Sequence, residues 1–167
     1  MVEAIKKICR LKETRFSFGA TAAIITNLGL VAGLRTGEHA KVGIIAGMLV
    51  IALADNISDS MSIHIYQETE CIETKEVWLS TFTNFLSRLL VSLTFILLVV
   101  SLPIKSAVVC SIIWGLLLLT MMSYAIAKDK KINPYLTILE HLAIAVAVII
   151  VSDFAGRFLI TKFKFLS

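Results

Sequence analysis

Five apolar runs, each long enough to cross a bilayer, decide what this chain can fold into: residues 16–34, 42–61, 82–102, 107–127 and 136–160. Inside hydrocarbon every backbone N–H and C=O must be satisfied within the protein, and continuous runs of this length leave the α-helix as the solution. The expected class is therefore all-α, a polytopic membrane protein with about five transmembrane helices. Composition agrees, since 57% of the 167 residues are hydrophobic and the mean hydropathy is +0.88, beyond the range of ordinary soluble domains. Two units are expected: a segment over residues 1–15 and a single five-helix transmembrane domain over residues 16–167.

The basic residues are distributed by side. Lys6, Lys7, Arg10, Lys12 and Arg15 precede the first run, and Lys128, Lys130 and Lys131 lie between the fourth and fifth. The opposite set of connections holds Arg35, Lys41 and Lys105, with Lys162 and Lys164 at the tail. Positive charge collects on the cytoplasmic side, so the N-terminus is expected there and, with an odd number of spans, the C-terminus on the opposite side. Residues 1–15 read as a basic amphipathic helix on the cytoplasmic leaflet, which makes membrane lipid the partner. No aromatic pattern or motif supports nucleic-acid binding. Cys9, Cys71 and Cys110 form no CxxC and point to neither a disulfide framework nor structural zinc. Residues 1–15 lack the apolar core of a cleavable signal, so the first span is expected to do the targeting.

The second run is the anomaly. No Gly or Pro separates it from the stretch Asp55 to Glu70, so the second helix is expected to continue into the cytoplasm, carrying Asp55 and Asp59 inside a membrane-grade segment. At 100° per residue Asp55, Asp59, Ser62, Tyr66, Glu70 and Glu73 fall within an arc of roughly 80°, with His64 on the other side. Two aspartates cost about 5 to 7 kcal/mol to insert, against about 2 to 4 returned by the Val, Ile and Leu residues of the run. Neighbouring helices or water must meet the difference, and ionisable groups kept inside a membrane mark an ion pathway or ligand site by default.

Asp55 and Asp59 sit one turn apart and repel if both are charged. A proton, an arginine or a divalent cation relieves this, and each implies a different function. Carboxylate oxygens suit Fe²⁺, Mn²⁺, Mg²⁺ or Ca²⁺, and exchange of a cation for protons would couple the site to a proton gradient. Arg88 in the third run is a candidate counter-charge: it forms a purely structural pair with the aspartates, snorkels to the cytoplasm or serves as a functional counter-charge. Glu68, Glu70, Glu73 and Glu76 form either a cation-attracting entry or a solvated helix end. Thr26 and Asn27 in the first run, with Asn56, Ser62 and Tyr66 in the second, are candidate pathway-lining residues, although Thr26 and Asn27 serve equally as bonds between helices. Gly29 and Gly33 form a GxxxG that lets a second backbone approach closely. Asp153 lies four residues before Arg157, where the two can neutralise each other. No nucleophile constellation or phosphate loop is visible, so catalysis is not expected.

Several stretches carry a family resemblance. Phe18-Gly19-Ala20 with Leu30-Val31-Ala32-Gly33-Leu34, then Leu53-Ala54-Asp55 followed by Ser58, Ser62 and Glu70, resemble the first two helices of the vacuolar iron transporter family. Leu102-Pro103 and Gly156-Arg157-Phe158-Leu159 resemble that family's third and fifth helix ends. The resemblance implies a five-helix protomer, a homodimer with its pathway between the first two helices of both copies, and proton-coupled efflux of iron or manganese from the cytoplasm. On that basis Asp55, Asp59, Glu68, Glu70 and Glu73 are the metal-ligating candidates, with the divalent metal as substrate and no cofactor. The chain departs from the pattern in reading Thr21-Ala22-Ala23 where the family has Asn-Asp-Gly. It carries Asp59 where many members have methionine. The alternative expectation is a transport-inactive membrane interaction or regulatory protein with the site filled by a salt bridge to Arg88. A membrane enzyme handling small solutes or phospholipids ranks third.

Overall fold

The computed structural model describes residues 19–162, and these form five helices with no strand among them. We label them α1 (Gly19–Leu34), α2 (Ala40–Thr69), α3 (Thr74–Ser101), α4 (Ile104–Lys130) and α5 (Pro134–Lys162). The last four have 30, 28, 27 and 29 residues and are long and apolar enough to cross a membrane. Over the described residues α1 is a shorter apolar helix. The all-α polytopic class is the observed one. The basic segment expected at residues 1–15 lies outside the described residues.

Local chemistry sets the turns. Pro103 lacks an N–H and stands at the start of α4, while Lys41 Nζ reaches across to cap the open end of α3, donating to the carbonyls of Val100 (2.9 Å) and Leu102 (3.1 Å). α4 stops where Lys131 turns left-handed at φ 55°. Asn133 Oδ1 then accepts from the Tyr135 N–H at 3.0 Å, and Pro134 takes the first helical position, where a missing N–H costs nothing. Cys71, at φ 54°, makes the corresponding sharp turn between α2 and α3.

α1 is the hub, with Ile24, Asn27, Leu28 and Val31 all buried. Its neighbours approach over small residues. A Cβ placed on Gly115 of α4 would lie 2.6 Å from Leu28 Cδ2, and one placed on Gly156 of α5 would overlap the Gly33 carbonyl. Gly19 abuts Asn84 and Ser87 of α3, and Gly47 of α2 lies under Leu30. The Gly29/Gly33 motif thus does face a second helix, α5, at Val148 and Ser152.

The inward faces of α2 and α3 change character halfway. On α2 the buried positions recur every four residues, apolar at Ile44, Met48 and Ala52, then polar at Asn56, Ser60 and His64. On α3, which runs the other way, Val99 and Phe95 are followed by Ser92, Arg88, Ser87, Asn84, Thr81 and Ser80, all buried. The two polar halves meet and form a seam that runs toward the α2–α3 turn. Where α2 passes from one half to the other, residues Ile51–Asp55 widen into a π-helical turn. A strict four-residue repeat drifts by about 40° per step in an α-helix, and a wider turn rotates less per residue, so it takes back part of that drift.

Candidate functional site

Within the polar seam, one turn short of its Ser92 end, stands Arg88. Its side chain is only 6% exposed, and its two terminal nitrogens go to different carboxylates: Nη2 to Asp55 Oδ2 at 2.5 Å and Nη1 to Asp59 Oδ2 at 3.1 Å. One turn of α2 separates the two acids, so a single planar fork spans both. Asn84 Nδ2 also donates to Asp59 Oδ2 (3.2 Å) and to Ser60 Oγ (3.1 Å). Two carboxylates face one guanidinium, which gives the cluster a formal charge of −1. The surplus is not deeply buried, since the Asp55 and Asp59 side chains are 52% and 33% exposed. Asn84 abuts Gly19 at the opposite end of α1 from Leu34, some 22 Å of helix away.

The other rungs of the seam are hydrogen bonds between uncharged groups, apart from the His64–Glu68 contact. Asn27 Nδ2 donates to Ser92 Oγ (3.0 Å), Asn56 Nδ2 to the Phe85 carbonyl (2.9 Å) and Gln67 Nε2 to Ser80 Oγ (2.8 Å). His64 Nδ1 and Thr81 Oγ1 are hydrogen-bonded at 2.9 Å, and the Thr81 hydroxyl also lies 2.9 Å from the Val77 carbonyl. The His64 ring lies edge-on to Trp78 at 4.6 Å, and its Nε2 is 3.3 Å from Glu68. The amide oxygens of Asn27, Asn56 and Asn84 are buried and accept from no protein donor.

The sequence-derived candidates are thus brought together only in part. Asp55 and Asp59 converge, but on Arg88. Thr26 turns its hydroxyl back to the Ala22 carbonyl, and Asn27 bonds to α3 one turn beyond Arg88. Asn56 is buried between α2 and α3. Ser62 and Tyr66 lie on the exposed face, where the Ser62 hydroxyl donates to the Ser58 carbonyl. The acidic stripe expected to run from Asp55 to Glu73 on one helix is interrupted, because α2 ends at Thr69 and the left-handed Cys71 reverses the chain. Glu73 therefore caps the start of α3, its carbonyl accepting from Glu76 and Val77. Glu68 faces His64, whereas Glu70 is exposed. Among the described residues no group of three or more His, Cys, Asp or Glu side chains is placed to hold a metal ion.

Reasoning from sequence missed the partners Ser60, Thr81 and Ser80. One signal was present: Ser80, Thr81, Asn84, Ser87, Arg88 and Ser92 recur at spacings of three and four, a polar stripe at helical period within a largely apolar helix. No family model matches the chain, and neither a curated protein nor a solved structure matches it.

Proposed function

We propose that this chain is a non-transporting membrane protein, an interaction or regulatory protein whose fold resembles the vacuolar iron transporters and whose acidic helix has been closed by Arg88. One observation carries this reading: both α2 carboxylates, Asp55 and Asp59, are bonded to the same buried guanidinium. A divalent cation on these carboxylates would sit against the Arg88 guanidinium bonded to their Oδ2 atoms, and either that repulsion or the loss of the Arg88 pairing is costly. The test is flux. Proteoliposomes loaded with a metal-sensing dye should stay dark with wild-type protein in Fe²⁺ and in Mn²⁺, with and without a proton gradient. A clear dye response that Asp55→Asn abolishes would overturn the proposal.

A second reading, proton-coupled efflux of iron or manganese by a homodimer, is favoured by the surplus carboxylate. With a formal net charge of −1 and Asp55 half exposed, the cluster would be neutralised by one further positive charge beside Arg88. Under this reading Arg88 is a counter-charge exchanged during the cycle. The same liposomes separate the two: transport requires a wild-type signal and its loss in Asp55→Asn.

A further inference from the structure

At the other end of the bundle, where α1 passes to α2, the stoichiometry is reversed. Asp153 of α5 accepts from Arg35 Nε at 2.8 Å and from Arg157 Nε at 3.0 Å, so one carboxylate faces two guanidiniums and the cluster carries a formal charge of +1. Both Asp153 oxygens are taken, while each arginine spends only its Nε–H. Among the described residues no acceptor meets a terminal nitrogen of either, whereas Arg88 has both of its terminal nitrogens engaged. The Arg35 and Arg157 side chains are 36% and 59% exposed. The Asp153 hydrogen bond also raises the Arg35 pKa above its already high ordinary value. Because both Nε atoms bind one carboxylate, they lie within about 8 Å of each other, close enough for two forks to share one anion.

The surroundings select the anion. Gly33 lies against Ser152 and Gly156, which puts the cluster at the last turn of α1, where the apolar run gives way to Arg35. That is the depth of headgroups. Beside the Asp153/Arg157 stripe on α5 runs an exposed apolar one containing Ile150, Phe154 and Phe158, the two rings stacked at 6.4 Å. We propose that Arg35 and Arg157, oriented by Asp153, bind the phosphate of an anionic phospholipid whose acyl chain lies along Phe154, Phe158 and Ile150. A headgroup with one net negative charge cancels the +1 of the cluster, whereas a zwitterionic one leaves it in place. Free phosphate offers the same oxygens but nothing for the aromatic stripe.

A bound lipid stabilises the folded state by mass action, so thermal unfolding of the full chain in neutral detergent reads occupancy. Phosphatidylglycerol should raise the midpoint where the same mole fraction of phosphatidylcholine does not, and Arg157→Gln should remove at least half of that rise. Asp153 keeps Arg35 as a partner in this variant, and its midpoint in phosphatidylcholine is the reference for its own fold. Arg157→Lys, which keeps the charge without the fork, should retain an intermediate rise. The proposal is overturned by equal shifts with the two lipids, by a phosphatidylglycerol shift unchanged in both Arg157→Gln and Arg35→Gln, or by inorganic phosphate at matched concentration giving the full effect.

Discussion

Removing Arg88 and removing one of its acids are different operations. Without the arginine, two carboxylates remain one turn apart in a membrane segment with no counter-charge. Without Asp55, a neutral Arg88–Asp59 pair remains, still supported by Asn84. Breaking a buried pair by deleting its only cation costs about 3 to 5 kcal/mol, and the partial exposure of both acids brings Arg88→Leu toward the lower figure. Asp55→Asn keeps an acceptor oxygen and removes the surplus charge, so its cost should stay within about 1 kcal/mol. Denaturant titration in mixed micelles checks the order. Equal losses in the two variants would mean that the surplus carboxylate is itself structural. A double-mutant cycle between Arg88 and Asp59 should show coupling of about 1 to 3 kcal/mol, as expected for residues in one bonded network.

Between helices, small residues rather than charges set the distances. A Cβ on Gly156 would overlap the Gly33 carbonyl, and backbone cannot swing aside as a side-chain end can. Gly156→Ala should therefore push α5 off α1 and cost about 1 to 3 kcal/mol. Gly43 of α2 has no atom near a new Cβ, so Gly43→Ala should add about 0.5 to 1 kcal/mol through helix propensity alone. The same titration compares them, and a stabilised Gly156→Ala would refute the close α1–α5 packing. This level was largely legible in the sequence. Runs of about twenty apolar residues specify helices, Pro103 and Pro134 mark their starts, and Gly29/Gly33 announces a close neighbour without naming it. The π-helical turn at Ile51–Asp55 was not legible, because no residue type there encodes it. It arises where α2 must keep its four-residue repeat buried against α3. Partners across space were equally hidden: Arg35 and Asp153 are 118 positions apart, and no local spacing announces such a pair.

Across the whole molecule, charge and polarity are divided between the two ends. The polar seam runs from the middle of α2 and α3, where the −1 cluster sits, toward the α2–α3 turn, and the +1 cluster lies at the end of α1. Because Gly19 abuts Asn84 and Ser87, α1 starts on the side where that turn lies. The excess of Lys and Arg before α1 predicts that this face is cytoplasmic. Cys71 reports on it directly, being exposed at the turn, whereas Cys110 is half-buried within α4. With Cys9 and Cys110 replaced by serine, a membrane-impermeant maleimide should label Cys71 in inside-out vesicles and leave it untouched in sealed, right-side-out ones until detergent is added. Labelling in the right-side-out vesicles would invert the molecule and turn outward the polar seam that leads from the Asp55–Arg88–Asp59 cluster to the α2–α3 turn. The surplus carboxylate would then open away from the cytoplasm, and efflux from that compartment could no longer begin at it.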